Sequence, residues 1–486
     1  MGMDRRQITL GTFLAPLALS TSRATERLTG EDLVDHAAAL ARELPAASPL
    51  RLLIPEGSLA NLAPVAAAFK KDTGVTVLTE EVPVDDVATV MTVRSLSGEA
   101  RFDVALPPTF AVPSLVEAGV ILPLDDQPSL RWQGPAPRSL FSLGDRYKGK
   151  TYGFQTDGDV YLMFYNGRFF DDADLRKRFE DTHGKALDVP KTWAELDRQI
   201  EFFHDPESLR FGGTLFRTPS YIAWEFWARL HAKGSFPVDE EMRPLLDRPA
   251  AVEAAEELIA ASRFLTAGCA TNGIFENWKE FSRGEAYCNI GWGGSMKFFR
   301  REESAIRDHV AAMQLPGGID KRGEHFATSY FNWGWNYAVS SQAKCPDMGV
   351  AFALYATSKE PSVAAVRARD GFFDPFLEAH YEDAAIAEIY SRSFLTEHKK
   401  AMDSAFPDFY VNGRTQYFDL LGRFLDRANR GRMSAQAALD LVSKGWEQIT
   451  DSVGRDSQID QWRFLRSQYP PRIRSVLEES LPSDKR

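Results

Sequence analysis

Cysteine is nearly missing from this chain: Cys269, Cys288 and Cys345 are the only three in 486 residues. So small and odd a count excludes a disulfide framework as what holds the fold, and none has the C-x-x-C spacing of a metal site. One bridge stays open, with Cys269 and Cys288 the nearer pair, against buried free thiols. A basic balance is also lacking, since 57 Lys and Arg face 68 Asp and Glu for a formal charge of −11. Phosphate neutralisation needs a basic face, so the charge argues against nucleic acid as a partner and disfavours an anionic membrane surface. The eight histidines are scattered, and H-x-x-x-H, G-x-S-x-G and G-x-G-x-x-G after a strand are all missing. The commoner hydrolase and dinucleotide signatures therefore have no support, and no metal or cofactor is expected. Carboxylates are plentiful, so a glycosidase pair stays open, although no pair announces itself.

Long apolar runs are lacking as well. The one near the start, Ile8 to Leu19, is too short to span a bilayer and contains Gly11, Thr12 and Pro16. Arg5-Arg6 precede it and Ser22-Arg-Ala24 follows, so residues 1–24 read as an export signal of twin-arginine type, with a Sec signal as the alternative. No cysteine sits there to take a lipid. The expected product is soluble, periplasmic and freed of its signal.

With 44% hydrophobic and 26% charged residues the remainder is ordinary globular sequence, and its length calls for two lobes rather than one core. A charged amphipathic helix over residues 26–44 precedes them. From Leu50 short apolar strands alternate with short helices: Leu50-Arg-Leu-Leu-Ile54, a helix through Phe69, Gly74-Val-Thr-Val-Leu78, a second helix, Phe102-Asp-Val-Ala-Leu106. That rhythm is α/β with a parallel sheet, whose C-terminal loops gather at one edge, where ligands bind. The loops are Pro55-Glu-Gly-Ser58 and Pro107-Pro-Thr109. Tyr152 to Tyr165 reads as a strand leaving the first lobe, Ala286–Gly291 and Asn336–Ser340 as further strands, and the chain beyond about residue 381 as almost wholly helical.

Gly144-Asp-Arg-Tyr-Lys-Gly149-Lys150-Thr151 fits G-x-x-x-x-G-K-[ST], the form of a nucleotide phosphate cradle. Such a cradle needs a helix after it, and Tyr-Gly-Phe-Gln-Thr-Asp-Gly-Asp cannot open one, so the segment reads as a polar turn feeding a strand. Tryptophan carries more information. It recurs in Tyr221-Ile-Ala-Trp224-Glu-Phe-Trp227, Asn289-Ile-Gly-Trp292-Gly-Gly-Ser295 and Tyr330-Phe-Asn-Trp333-Gly-Trp335-Asn336. A sugar lays its C–H faces on such rings while carboxylates and amides take its hydroxyls. Trp292, in a Gly-rich loop past a strand, favours ligand contact. Trp224 and Trp227 divide evenly between core and ligand, and alternation sends Trp333 and Trp335 to one face with one of them on the ligand.

In this order the pieces resemble the extracellular solute-binding proteins of ABC transporters, in particular the sugar-binding family related to maltose-binding protein. The resemblance rests on Leu52-Leu-Ile-Pro-Glu-Gly57, Phe102-Asp-Val104, Lys148-Gly-Lys-Thr-Tyr-Gly-Phe154, Phe164-Tyr-Asn166, Pro190-Lys-Thr-Trp-Ala-Glu-Leu196, Gly291-Trp-Gly293, Gly334-Trp-Asn-Tyr-Ala-Val-Ser340, Phe372-Phe-Asp-Pro-Phe376 and Ala438-Leu-Asp-Leu-Val-Ser-Lys-Gly-Trp446. It implies a two-lobe type II periplasmic binding fold with a helical C-terminal region, a ligand between the lobes, and closure on binding. Residues 25–48 would then be an extension, 49–158 with about 337–385 one lobe, 159–336 with about 386–470 the other, and 471–486 a tail. The implied ligand-binding residues are Glu56, Gly57, Ser58, Pro108 and Thr109 from the first lobe and Asp157 and Asp159 near the crossing. Trp224, Trp292, Gly293 and Trp335 come from the second lobe or its return, with Asp374 a further candidate. The implied partners are a small carbohydrate-like ligand and the membrane permease of an ABC transporter, the chain itself being a monomer without catalytic residues. Two other functions stay open: a secreted glycoside-active hydrolase in the same cleft, and a ligand-sensing partner of a membrane receptor.

Overall fold

The alternation from Leu50 onward becomes the parallel half of a mixed five-stranded sheet in the computed structural model, which describes residues 30–45, 49–126 and 139–481. The proposed export signal lies outside the described residues, as do Pro128, Pro135 and Pro137. In chain order the strands that frame the molecule are β1 (Leu50–Pro55), β2 (Val77–Val82), β3 (Val104–Ala105), β4 (Gly153–Gln155), β5 (Val160–Asn166) and β6 (Phe211–Thr214). Then come β7 (Ala286–Gly291), β8 (Val310–Gln314), β9 (Tyr330–Phe331), β10 (Asn336–Val339) and β11 (Phe406–Pro407).

They form two sheets, one per lobe. The first is ordered β2-β1-β3-β10-β4, with β1 parallel to β2 and β3 and the late strand β10 antiparallel to both neighbours. The second is ordered β11-β9-β5-β7-β6, with β8 also paired to β5. Helices cover the sheets, which is why β1 buries Leu50, Leu52, Leu53 and Ile54 and β5 buries every residue from Val160 to Phe164. The helix Leu59–Thr73 ends because Gly74 turns left-handed at φ 79° and returns its N–H to the Lys70 carbonyl. The N-terminal helix is seen as Gly30–Glu43 and packs on Leu59–Thr73 and Pro346–Ala356 through Leu33, Ala37, Ala38 and Ala41.

The run from Tyr152 to Tyr165 is not one strand. Its first part, β4, belongs to the first sheet and its second, β5, to the other, with Thr156–Asp159 crossing between them. The chain returns through Asn332–Trp335, between β9 and β10. It passes a third time after helix Lys359–Val366, packed on Leu59–Thr73, and before helix Arg392–Ser404, packed on β5 and β8. Where the first and third passages touch, a Cβ on Gly158 would lie 2.0 Å from the Pro375 carbonyl oxygen, so no larger residue fits.

The phosphate-cradle pattern resolves as a tight hairpin. Arg146–Tyr147 pairs antiparallel with Lys150–Thr151, and the two turn residues Lys148 and Gly149 have φ of 47° and 82°, the signature of a type I′ turn. The strand β4 follows it, not a helix. In the C-terminal helices Arg414–Asn429 and Ala435–Val453, Tyr417, Leu421, Leu425, Val442 and Trp446 are buried as the periodicity requires. Leu441 is 40% exposed, because the second helix turns Ala438 and Leu439 inward instead. All three thiols are free, with Cys269 and Cys288 buried. Residues Pro471–Glu479 form a closing helix that buries Ile473, Val476 and Leu477. Among the described residues no helix is long and apolar enough to cross a membrane.

Candidate functional site

Each of the three crossing segments delivers side chains to one cleft between the sheets. Asp159 comes from the first, Trp333 and Trp335 from the second, and Phe372 from the third. Val84 of the first lobe and Ile274, Phe275 and Trp278 of the helix Ile274–Phe281 complete the walls, together with Trp292 and Gly294 just past β7. The free volume is about 30 Å³, which suits ~2 water molecules, so the lobes are closed on one another. Tyr221, in the second lobe, reaches across to the first and donates its hydroxyl to Asp85 at 2.8 Å.

The rings in and behind the cleft meet edge to face or tilted, as their quadrupoles favour. Trp292 and Trp333 lie 5.4 Å apart at 83°, and Trp224 stands 5.5 Å from Trp292 at 87°. Trp335 continues the series at 5.6 Å from Trp333 and 6.3 Å from Phe372. Trp292 is fixed by its own N–H, donated to Asn332 Oδ1 at 2.8 Å. Trp224 rides on Ile222–Ala232, a helix buried on every side. Two charged residues of that helix are tolerated because they pair inward: Glu225 accepts from Arg217 at 2.6 Å and from Arg229 at 2.9 Å, and Arg229 reaches Asp197 at 2.6 Å.

At the floor Asp157, Asp159 and Asp374 are buried together, with carboxylate oxygens within 4.8 Å of one another. Asp157 Oδ1 accepts the Asp374 backbone N–H at 2.6 Å, Asp159 Oδ2 the Gly334 N–H at 3.1 Å, and Asp374 Oδ1 the Tyr390 hydroxyl at 2.9 Å. Asp157 Oδ2 and Asp374 Oδ2 meet no N–H or O–H of another residue among the described residues. Burial, reinforced by the neighbouring Asp159 and Asp374 charges, pushes Asp157 well above the carboxylate range, and burial with Asp374 does the same to Asp159. Burial raises Asp374 to about 7, against the pull of Lys297. Lys297 is buried beside them and brought down to about 8 by desolvation, against the same carboxylates, while its Nζ donates to the Val366 and Ala368 carbonyls.

Of the residues expected in the site, Asp157, Asp159, Trp292, Gly293, Trp335 and Asp374 come together; a Cβ on Gly293 would lie 2.7 Å from the Asp374 carboxylate. Gly57 stands behind the wall, 3.3 Å from Phe275 to its missing Cβ, and Trp224 stands behind Trp292. Pro108 bridges to Trp335 and backs it. The others are placed elsewhere. Glu56 is exposed, Ser58 folds its hydroxyl onto the Pro55 carbonyl at 2.6 Å, and Thr109 spends its hydroxyl on Asn336 at 2.6 Å inside the first lobe. Trp333 and Trp335 are not strand residues, since Gly334 between them has φ 69°; both line the cleft nonetheless. Val84, Trp278, Phe275, Phe372, Gly294 and Lys297 were not foreseen as site residues. Of these, Phe372 carried a signal, lying two residues before Asp374, as did Gly294, next to Gly293 in the Gly-rich loop.

A family model described as bacterial extracellular solute-binding protein matches residues 65–389. Among solved structures the chain is similar to an ABC transporter solute-binding protein from Agrobacterium radiobacter K84 in complex with ribitol. The identity is 19% and the TM-score 0.69, covering 84% of this chain and 100% of that one. It is similar also to maltose-bound MalE3 of T. maritima, at 18% identity and TM-score 0.68 over 83% of this chain and 100% of that. A solute-binding protein from Agrobacterium vitis S4 with bound D-mannitol matches at 19% and 0.69, over 84% and 99%.

Proposed function

We infer the function from membership: this chain belongs to the bacterial extracellular solute-binding protein family, and we read it as the capture component of an ABC transporter. It takes a sugar, a polyol or a similar small hydroxylated solute between its lobes in the periplasm and presents the closed form, as a monomer, to a membrane permease. The observation that carries this reading is the cleft where all three crossing segments converge, walled by Trp292, Trp333, Trp335 and Phe372. A ring or chain with C–H faces stacks there, and closure strips water from both partners. The solutes named for the structural neighbours, ribitol, maltose and D-mannitol, set the chemical class to test first. The lobe division given above and export through Arg5-Arg6 belong to the same reading.

A solute larger than the present free volume needs the lobes apart to enter, so binding couples to closure. Capture requires no covalent step. A thermal-shift screen of sugars and polyols, followed by small-angle scattering, tests it: a true ligand raises Tm by mass action and shrinks the molecule. Tight binding with unchanged dimensions refutes closure, and turnover of the solute refutes capture in favour of a hydrolase.

A further inference from the structure

Stacking on the rings leaves the floor of the cleft without a partner. Three carboxylates converge there, and the ammonium that offsets two of them, that of Lys297, has its Nζ already held by the Val366 and Ala368 carbonyls at 2.9 and 3.0 Å. Asp159 reaches the cleft itself, and behind it Asp157 Oδ2 and Asp374 Oδ2 are buried without a donor in hydrogen-bond geometry among the described residues, although the Gly294 N–H and the Asp159 carboxyl lie close enough to Asp374 to favour its charged form. A neutral polyol can give such oxygens hydroxyl protons but no charge. A hard divalent cation brings charge, yet it wants six or more oxygen ligands. Here it would find Lys297 beside it, under a wall whose other side chains are Val84, Ile274 and aromatic rings.

From these unpartnered oxygens beneath the rings of Trp292, Trp333, Trp335 and Phe372, we infer that the captured solute carries a protonated primary amine. The inference rests on the capture reading and names the solute class of that same site. The ammonium donates to the carboxylate oxygens in charge-assisted hydrogen bonds. Trp278 and Trp333 line the same cleft with indole N–H groups that are buried and without an acceptor among the described residues. They ask for hydroxyl oxygens, so the solute is an amine on a hydroxylated frame. Binding also releases protons. The ligand-free carboxyls are held partly protonated by burial and by one another, and an ammonium favours their charged forms. The titratable groups that face the cluster are Lys297, Tyr337, Tyr381, Tyr390 and Tyr410, with His398 on the Gly158 carbonyl beside it, and none of them gains a proton from an arriving cation.

Matched pairs that exchange one hydroxyl for an ammonium test this: glucosamine with glucose, 1-amino-1-deoxysorbitol with sorbitol, and 4-aminobutanol with butanediol. Calorimetry on the full chain, in two buffers of different ionisation enthalpy, gives both affinity and protons released. Expected is at least one aminated member that binds about tenfold to hundredfold more tightly than its partner and releases protons. Asp159→Asn, which keeps an oxygen for the Gly334 N–H, should erase that preference while folding normally by circular dichroism. Equal or tighter binding of the hydroxyl members overturns the inference, as does binding of a neutral solute when no aminated one binds; either leaves capture standing. If neither aminated nor neutral solutes bind, the capture reading falls and the inference with it.

Discussion

Asp374→Asn should make the ligand-free protein more stable at pH 8 while weakening its hold on an aminated solute. The folded chain raises this carboxyl from 3.8 to about 7, chiefly by burial. A carboxyl whose folded value is raised binds its proton more tightly in the folded than in the unfolded chain, so its stabilising effect is greatest below pH 4. It is lost as pH climbs toward 7. Between pH 5 and pH 8 the loss is about 3 kcal/mol, since each of the two pH units up to the folded value is worth ~1.4 kcal/mol. Asparagine has no charge to desolvate and can still accept the Tyr390 hydroxyl, which reaches Asp374 Oδ1 at 2.9 Å. With an unfolding entropy of about 2.1 cal/mol/K per residue, a chain this long shifts its Tm by ~1 °C per kcal/mol. Calorimetric scans should therefore show the variant's advantage over wild type grow by about 3 °C from pH 5 to pH 8. A variant less stable than wild type at pH 8, or equally stabilised at both values, would refute the reasoning.

Tyr221→Phe removes the hydrogen bond to Asp85 that joins the lobes at 2.8 Å. Because Asp85 is exposed, the loss is about 1 kcal/mol, a ~5-fold rise in open over closed forms, visible as a larger ligand-free radius of gyration; an unchanged radius would mean that other contacts hold the lobes. Glu225→Gln leaves Arg217 and Arg229 without their shared counter-charge and should cost about 3–5 kcal/mol, read in a urea melt, whereas a neutral result would mean that the helix does not depend on the pair. Burial pushes the Cys269 thiol up to about 11 and raises Cys288 well above the thiol range, so at pH 8 a thiol reagent should modify at most Cys345 in the folded protein and all three after denaturation. Native reaction of two or more thiols would show that this core opens.

In the parallel half of the first sheet β1 and β3 were legible because each is short, apolar and closed by a turn, a local pattern that local physics enforces, whereas β2 runs over Val77–Val82 rather than from Gly74 to Leu78 and carries Thr79, Glu80 and Glu81. The hairpin at Lys148 and Gly149 was legible for the same reason. What could not be read was the change of sheet within Tyr152–Tyr165: both strands are almost wholly buried, and only the partners they meet, β10 on one side and β7 on the other, tell them apart. The site divides likewise. Trp292 was expected from its Gly-rich loop and Asp159 from the family resemblance, but Lys297 sits inside the short helix Gly294–Phe299 and looks from the sequence like any surface lysine. Thr109 occupies the expected loop and turns inward, because Asn336, brought beside it by β10, offers a better-placed oxygen than the cleft does.

The carboxylates of the floor and the backbone on which the lobes pivot are the same few residues, with Gly158 pressed against Pro375 between Asp157 and Asp159. Selectivity and mechanical compliance are thus welded into one part. A lineage that altered what this protein carries by editing those aspartates would also retune how far and how readily it swings. Its freedom to change cargo should therefore lie in the removable wall, at Phe275 and Trp278 of the helix Ile274–Phe281, where a ring can be exchanged without touching the pivot.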